Sequence, residues 1–331
     1  MRVQIEKLVE AYGPSGHEDQ IREMIRSEIR GIPDYITVDG IGNLIGAIKK
    51  KSKSGKKVML IAHMDEIGVM VTHVDEQGFC RFIPLGGVST LSCMGSRVRF
   101  ADGTLGVIGI EKRLNTNSVP KFDQLFIDVG ATSREDCPVQ IGAAAGFYRP
   151  LEEIGSRLIA KSMDDRIGCV VLLQVMKALR RTPHEVAFVW SVQEEVGTRG
   201  AGPAAYGFDP DVAIAIDVTR TGDTPKGWKM DVSLGGGPAI KIRDQGMLAD
   251  PRIVRHLREA AEAAKLPYQM EVLEHGTTDA RAVQVSRIGV PAGVVSVPCR
   301  HIHTPSEMID EADVKGAADL LLSFLKRPIV L

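Results

Sequence analysis

Four short, almost unbroken apolar runs constrain this chain more than anything else in it: "KKVMLIAHMD" (56–65), "EVAFVWSVQEE" (185–195), "DVAIAIDV" (211–218) and "PAGVVSVPC" (291–299). Each is far shorter than the roughly 20 apolar residues of a membrane span. Their density of Val and Ile fits strands covered on both faces, the kind found at the centre of an α/β sheet. Helical patterns lie between and after them. "DDRIGCVVLLQVMKALRR" and "DEADVKGAADLLLSFLKR" are two; "DPRIVRHLREAAEAAKL" is a third, with Asp250 at the cap and Pro251 in the first turn. The alternation predicts an α/β fold, a mostly parallel, doubly wound sheet with helices on both sides. Near the start, Ser15 and Glu18 stand at capping-box spacing before Ile21, Ile25 and Ile29, which predicts an amphipathic helix.

Residues from about 72 to 158 break this rhythm. They hold short β-rich pieces, glycines and an Asp102-Gly103 turn, with no convincing helix. The expected organisation is therefore a catalytic domain over 1–71 and 159–331, carrying an inserted, barrel-like β domain over 72–158. The lysine cluster "KKKSKSGKK", residues 49–57, is read as a solvated loop between two strands and not a nucleic-acid patch, because the net charge of the chain is only −1. Five scattered cysteines without a CxxC pair argue against a disulfide framework and suit a reducing compartment. The first residues lack the apolar core of a signal peptide, and the expected location is cytoplasmic, with neither nucleic acid nor membrane as partner.

The strand ends carry the chemistry. His63 and Asp65 end the first run, Glu194 and Glu195 the second, Asp217 the third, and His303 lies just past the fourth. Ligands of open α/β sheets bind at the carboxyl ends of the strands, so four strands deliver His or carboxylate to one edge. Imidazole nitrogen and carboxylate oxygen are donors that zinc and related divalent ions accept. Asp65, two residues after His63, points to the same side of a strand and suits an orienting partner for the imidazole; it also reads as an ordinary acid at a loop start. Asp164 and Asp165 open a helix, where an acid is equally an N-cap. The adjacent Glu194 and Glu195, taken alone, fit a solvated loop or a helix start as well as a catalytic pair.

"AHMDEIGVMV", "KSMDDRIG", "SVQEEVGTRGA", "AIDVTRTGDTP" and "HIHTPSEM", in this order, closely resemble the tetrahedral and glutamyl aminopeptidases, cytoplasmic dinuclear-metal exopeptidases. The resemblance runs over essentially the whole chain. It implies two divalent ions per subunit, zinc first, with cobalt or manganese as alternatives. It implies metal ligands at His63, Asp164, Glu195, Asp217 and His303, with Asp164 bridging and the Asp164–Asp165 peptide bond cis. Glu194 then becomes the general base that takes a proton from the water between the metals, and Asp65 supports it through His63. The implied substrates are short peptides. The implied assembly is a homodimer, six of which close into a tetrahedral homododecamer. Val88, Leu91, Met94 and Phe147 are material for such contacts, or equally for the small domain's own core.

Some positions depart from the usual pattern. His301 stands where relatives often have Tyr, "EHGTTDAR" places Arg281 after an unusual segment, and Arg220 follows Asp217. These bear on side-chain preference; His301 and His275 are equally readable as structural. Two other classes compete with the peptidase. A metal-free glycosidase needs carboxylates about 5–9.5 Å apart across a sugar, which adjacent residues do not supply naturally. Only 2 Trp and 5 Tyr also leave few platforms for sugar rings. A non-catalytic assembly scaffold would have no use for a complete set of ligands and base.

Overall fold

The computed structural model describes residues 1–49, 52, 54–112 and 118–331. The four apolar runs become the strands Lys57–His63, Glu185–Ser191, Val212–Thr219 and Ala292–Arg300. They lie side by side in the order 185–191, 57–63, 212–219, 292–300, and every neighbouring pair is parallel. Ser191 faces His63 in the register, and Asp217 faces Ser296, so the four carboxyl ends share one edge.

Parallel pairing stops at these strands and the pair Ala239–Arg243 with Gln269–Val272. Tyr35–Val38 and Leu44–Ile48 flank one side antiparallel; Glu307–Asp310, Arg157–Ala160 and Glu152–Ile154 flank the other. The sheet is therefore mixed, which corrects the mostly parallel sheet expected from the four runs. A hairpin connection, as between 38 and 44, returns a strand antiparallel, whereas a parallel neighbour needs a long crossover.

Alternate side chains of Lys57–His63 enter two cores. Val58, Leu60 and Ala62 pack with Ile5, Ile21, Ile167 and Leu257 from helices on one face. Met59 and Ile61 pack on the other with the helices Ala201–Phe208 and Asp279–Gln284. The three long helices form where the sequence predicts them, at Met163–Ala178, Pro251–Ala264 and Glu311–Leu325, and the Asp250 carboxylate accepts the Arg252 N–H at 2.8 Å as its cap. The capping box at Ser15 and Glu18 does not form. The helix starts at Asp19 with no side-chain cap, because both side chains turn to the site described below.

Six strands (Gly68–Val74, Cys80–Leu85, Leu125–Asp128, Leu105–Ile110, Arg97–Phe100 and Ala144–Phe147) close into an antiparallel barrel. The barrel strands thus begin before residue 72 and end before 158, since Glu152–Ile154 and Arg157–Ala160 join the large sheet. Among its described residues the segment also holds one short helix, Thr90–Cys93, capped by Ser89, and a 3-10 turn at Phe122–Gln124. Val88 and Phe147 belong to the barrel core, whereas Leu91 and Met94 are 58% and 42% exposed. Lys50, Lys51 and Lys53 of the lysine cluster lie outside the described residues. No helix among the described residues is long and apolar enough to cross a membrane.

Candidate metal centre

The shared sheet edge brings the expected residues together. His63 ends its strand with Nε2 3.0 Å from Asp164 Oδ1. Its Nδ1 is 3.2 Å from the backbone oxygen and 3.3 Å from Oδ1 of the buried Asp65. Asp65 holds more than His63. Its two oxygens also accept the N–H groups of Glu194 at 3.0 Å and Glu195 at 3.2 Å, and the Ser15 hydroxyl at 2.6 Å. On the far side of Asp164, Oδ2 is 3.3 Å from His303 Nε2, which lies 3.2 Å from Glu195 Oε2.

Two groups result, each able to direct one donor atom from every member to a common point: His63, Asp164 and Asp217, and Asp164, Glu195 and His303. Donor atoms within a group lie within 4.8 Å of one another, and Asp164 belongs to both. Asp164 does not act as a helix N-cap; the peptide bond after it is cis, and Asp165 takes the local role by accepting the Gly168 N–H at 3.0 Å.

Electrostatics argue that this cluster fits a divalent cation. Burial pushes the carboxyls of Glu194 and Asp217 well above the ordinary range, and nearby Asp217 and Asp164, respectively, raise them further. Burial opposes the charged form of His303, yet Glu195 and Asp164 hold it at about 12. So many buried carboxylates around two imidazoles favour added positive charge at this point. Glu195 Oε1 is buried without a hydrogen-bond partner among the described residues, which a cation would answer. The donor set, nitrogen and carboxylate oxygen without thiolate, suits a divalent metal ion.

A cavity of about 270 Å³ opens on the cluster, lined among others by Glu194, Thr198, Arg220, Lys241 and His275. Lys241 is answered by Glu271 at 3.1 Å. Arg220 has no ion-pair or hydrogen-bond partner among the described residues; its guanidinium lies 5.2 Å from the Trp228 ring, against which His275 packs edge-on. His301 is exposed, and neither it nor Arg281 lines the cavity. The barrel contributes Gly87, where a Cβ would meet His303 Nδ1 at 2.3 Å, so only glycine lets this loop approach the imidazole.

Several supporting residues escape a reading of the sequence. Glu307 is buried, and its oxygens accept the N–H of Asp164 at 2.9 Å and that of His303 at 2.7 Å. Glu18 accepts the N–H groups of Gly16 at 2.7 Å and Gln193 at 3.1 Å, and burial with nearby Asp65 pushes it up to about 7. Asp279 accepts the Ser191 hydroxyl. Beneath the cis peptide, Glu66 pairs with Lys161 and Arg166, and Arg166 donates to Leu8 O at 2.6 Å and Ala11 O at 3.2 Å. The one signal in the sequence was Glu307 lying within "HIHTPSEM".

A mixed sheet with donors at its strand ends and a closed six-stranded barrel is the architecture of solved aminopeptidases. An aminopeptidase from the archaeon Desulfurococcus kamchatkensis superposes with a TM-score of 0.94 and 40% identity, covering 98% of this chain and 93% of that one. The Pyrococcus horikoshii TET1 peptidase, described as assembling into a tetrahedron or a large octahedral shell, gives a TM-score of 0.88 at 30% identity over 98% of each chain. The lysyl aminopeptidase of Pyrococcus furiosus is 32% identical over 337 residues, 97% of this chain and 96% of its own. The model of the M42 glutamyl aminopeptidases matches residues 42–320, and the chain belongs to that family of metal-dependent aminopeptidases.

Proposed function

We propose that this aminopeptidase removes amino-terminal residues from short peptides with two divalent cations, one held by His63, Asp164 and Asp217 and the other by Asp164, Glu195 and His303. The membership of Asp164 in both donor groups is the observation that carries this reading. Cations held there supply Lewis acidity and lower the pKa of water. Zinc leads, with cobalt or manganese as alternatives.

Glu194 is the general base in this reading. It lines the cavity beside both donor groups, and the Asp65 carboxylate fixes its backbone N–H. Its carboxylate takes the proton of the attacking water and returns it to the departing amine. Asp65 acts through His63, keeping the imidazole turned toward Asp164. Arg220 faces the substrate with an unanswered positive charge.

The unit made of 1–71 and 159–331 is read as a doubly wound catalytic domain, supported by helices on both sheet faces. The barrel is read as the dimerisation domain, in a homodimer that assembles to a homododecamer in the cytoplasm. Exposed Leu91 and Met94 beside the Gly87 loop support that reading, as does the shell built by the TET1 peptidase.

Hydrolysis of amino-acyl anilides before and after chelation tests the core of the proposal. Activity should vanish with the metals and return with zinc, cobalt or manganese. Full activity in chelator would sink it.

A further inference from the structure

We infer that Glu307 is a positioning residue for the metal centre, and that it governs the group formed by Asp164, Glu195 and His303 more than the group formed by His63, Asp164 and Asp217. The inference rests on the metal reading above and adds a residue and an asymmetry to it. Glu307 opens the strand Glu307–Asp310, paired with Arg157–Ala160, and its side chain is 1% exposed. Each of its oxygens holds the backbone N–H of a different donor residue, Asp164 at 2.9 Å and His303 at 2.7 Å. Those two residues come from segments far apart in the chain, so one carboxylate sets the distance between them.

The rest of the cluster explains the asymmetry. Asp65 secures His63 through its ring and Glu195 through its backbone, one member of each group. Glu307 secures two of the three members of the second group and only the shared Asp164 of the first. His303 most needs such a hold. It has a left-handed backbone with φ of 63°, which costs a non-glycine residue energy unless its surroundings enforce it. Its N–H bond to Glu307 closes that turn directly. Without the bond the imidazole loses its fixed approach to Asp164 and Glu195.

A built-in control exists. Asp313 is also buried and accepts two backbone N–H groups, Gly235 at 2.7 Å and Gly237 at 2.8 Å, but holds no member of either group. Glu307→Gln keeps one acceptor and turns an amide N–H toward the other donor, whereas Asp313→Asn makes the same change elsewhere.

The test is stepwise zinc binding to the full-length, chelator-stripped protein, by competition with a chromophoric chelator and by metal analysis after dialysis. The wild type should take up two ions. Glu307→Gln should weaken one of the two steps, that of the group formed by Asp164, Glu195 and His303, by about tenfold or more, within the range seen when partners of metal ligands are lost, and the other step by less. Asp313→Asn should leave both steps unchanged. If Glu307→Gln does not fold, Glu307→Asp, which keeps the charge but retracts it by one methylene, should show the same uneven loss. A folded Glu307 variant with wild-type values at both steps overturns the inference while leaving the metal reading intact. Equal weakening by Asp313→Asn also overturns it, because the effect would then be general destabilisation. A wild-type protein that binds no zinc overturns the metal reading itself, and this inference with it.

Discussion

His63 Nε2 sits 3.0 Å from Asp164 Oδ1, although they stand 101 positions apart in the chain with the whole barrel between them. The barrel is thus an excursion between two halves of one centre. Asp164→Ala should lose both ions, because it removes the residue common to both donor groups. Glu194→Gln should keep them and lose turnover by about 10²–10⁴, since an amide cannot accept the proton of water. Metal analysis beside anilide kinetics checks both; a fully active Glu194→Gln protein refutes the assignment.

Arg220 should favour substrates with an acidic first residue, because its guanidinium lines the cavity with no ion-pair or hydrogen-bond partner among the described residues. A hydrogen bond to a charged group contributes about 1.5–3 kcal/mol, so kcat/KM for a glutamyl anilide should fall by about 10- to 100-fold in Arg220→Ala. A leucyl anilide should be affected far less, and Arg220→Glu should shift the preference toward lysyl. Equal losses on all three anilides count against this role.

Glu18 gives the metal-free protein a pH-dependent stability. Its folded-state value is raised, to about 7 from 4.5, by burial and then by Asp65. The folded form therefore holds the proton more tightly than the unfolded chain. Glu18's contribution is full below about pH 4.5, declines as pH rises through about 7, and is flat above. Urea midpoints measured between about pH 5 and 8 should show that decline, and Glu18→Gln should make it shallower. An unchanged slope in the variant would remove Glu18 as its source.

Assembly should depend on the barrel and on metal. Leu91 and Met94 stand exposed after the Gly87 loop, which touches His303. Leu91→Glu combined with Met94→Glu should yield a smaller species by light scattering, and so should stripping the metals from the wild type. A fully active 35.9 kDa monomer would exclude the assembly.

The four central strands and three long helices were legible because uninterrupted apolar runs and strict helical spacing leave little freedom in how a segment is buried. The antiparallel margins were not. Tyr35–Val38 is largely exposed, so its pairing is set by a neighbour and not by its own pattern. Ser15 and Glu18 have the spacing of a capping box but turn to Asp65 and Gln193, because short polar side chains serve either purpose and only tertiary position decides. The donors at the strand ends could be found from the sequence, since strand polarity alone gathers them. Glu307 shows in the sequence only as part of "HIHTPSEM", and its role could not be read, because it lies in two backbone N–H groups that no residue pattern encodes. Val88 and Phe147 went to the barrel core while Leu91 and Met94 did not; apolar type alone does not separate these fates.

The order in which the ribosome releases these residues has a consequence of its own. Lys57–His63 emerges first of the four central strands, yet ends up between Glu185–Ser191 and Val212–Thr219. The donor group of His63, Asp164 and Asp217 is complete only when the third strand has been made, and the other waits for His303, near the end of the chain. A partly made sheet consequently has neither donor group complete until Asp217 has joined it. The candidate centre is thus assembled late in the order of these strands, the second donor group after the first.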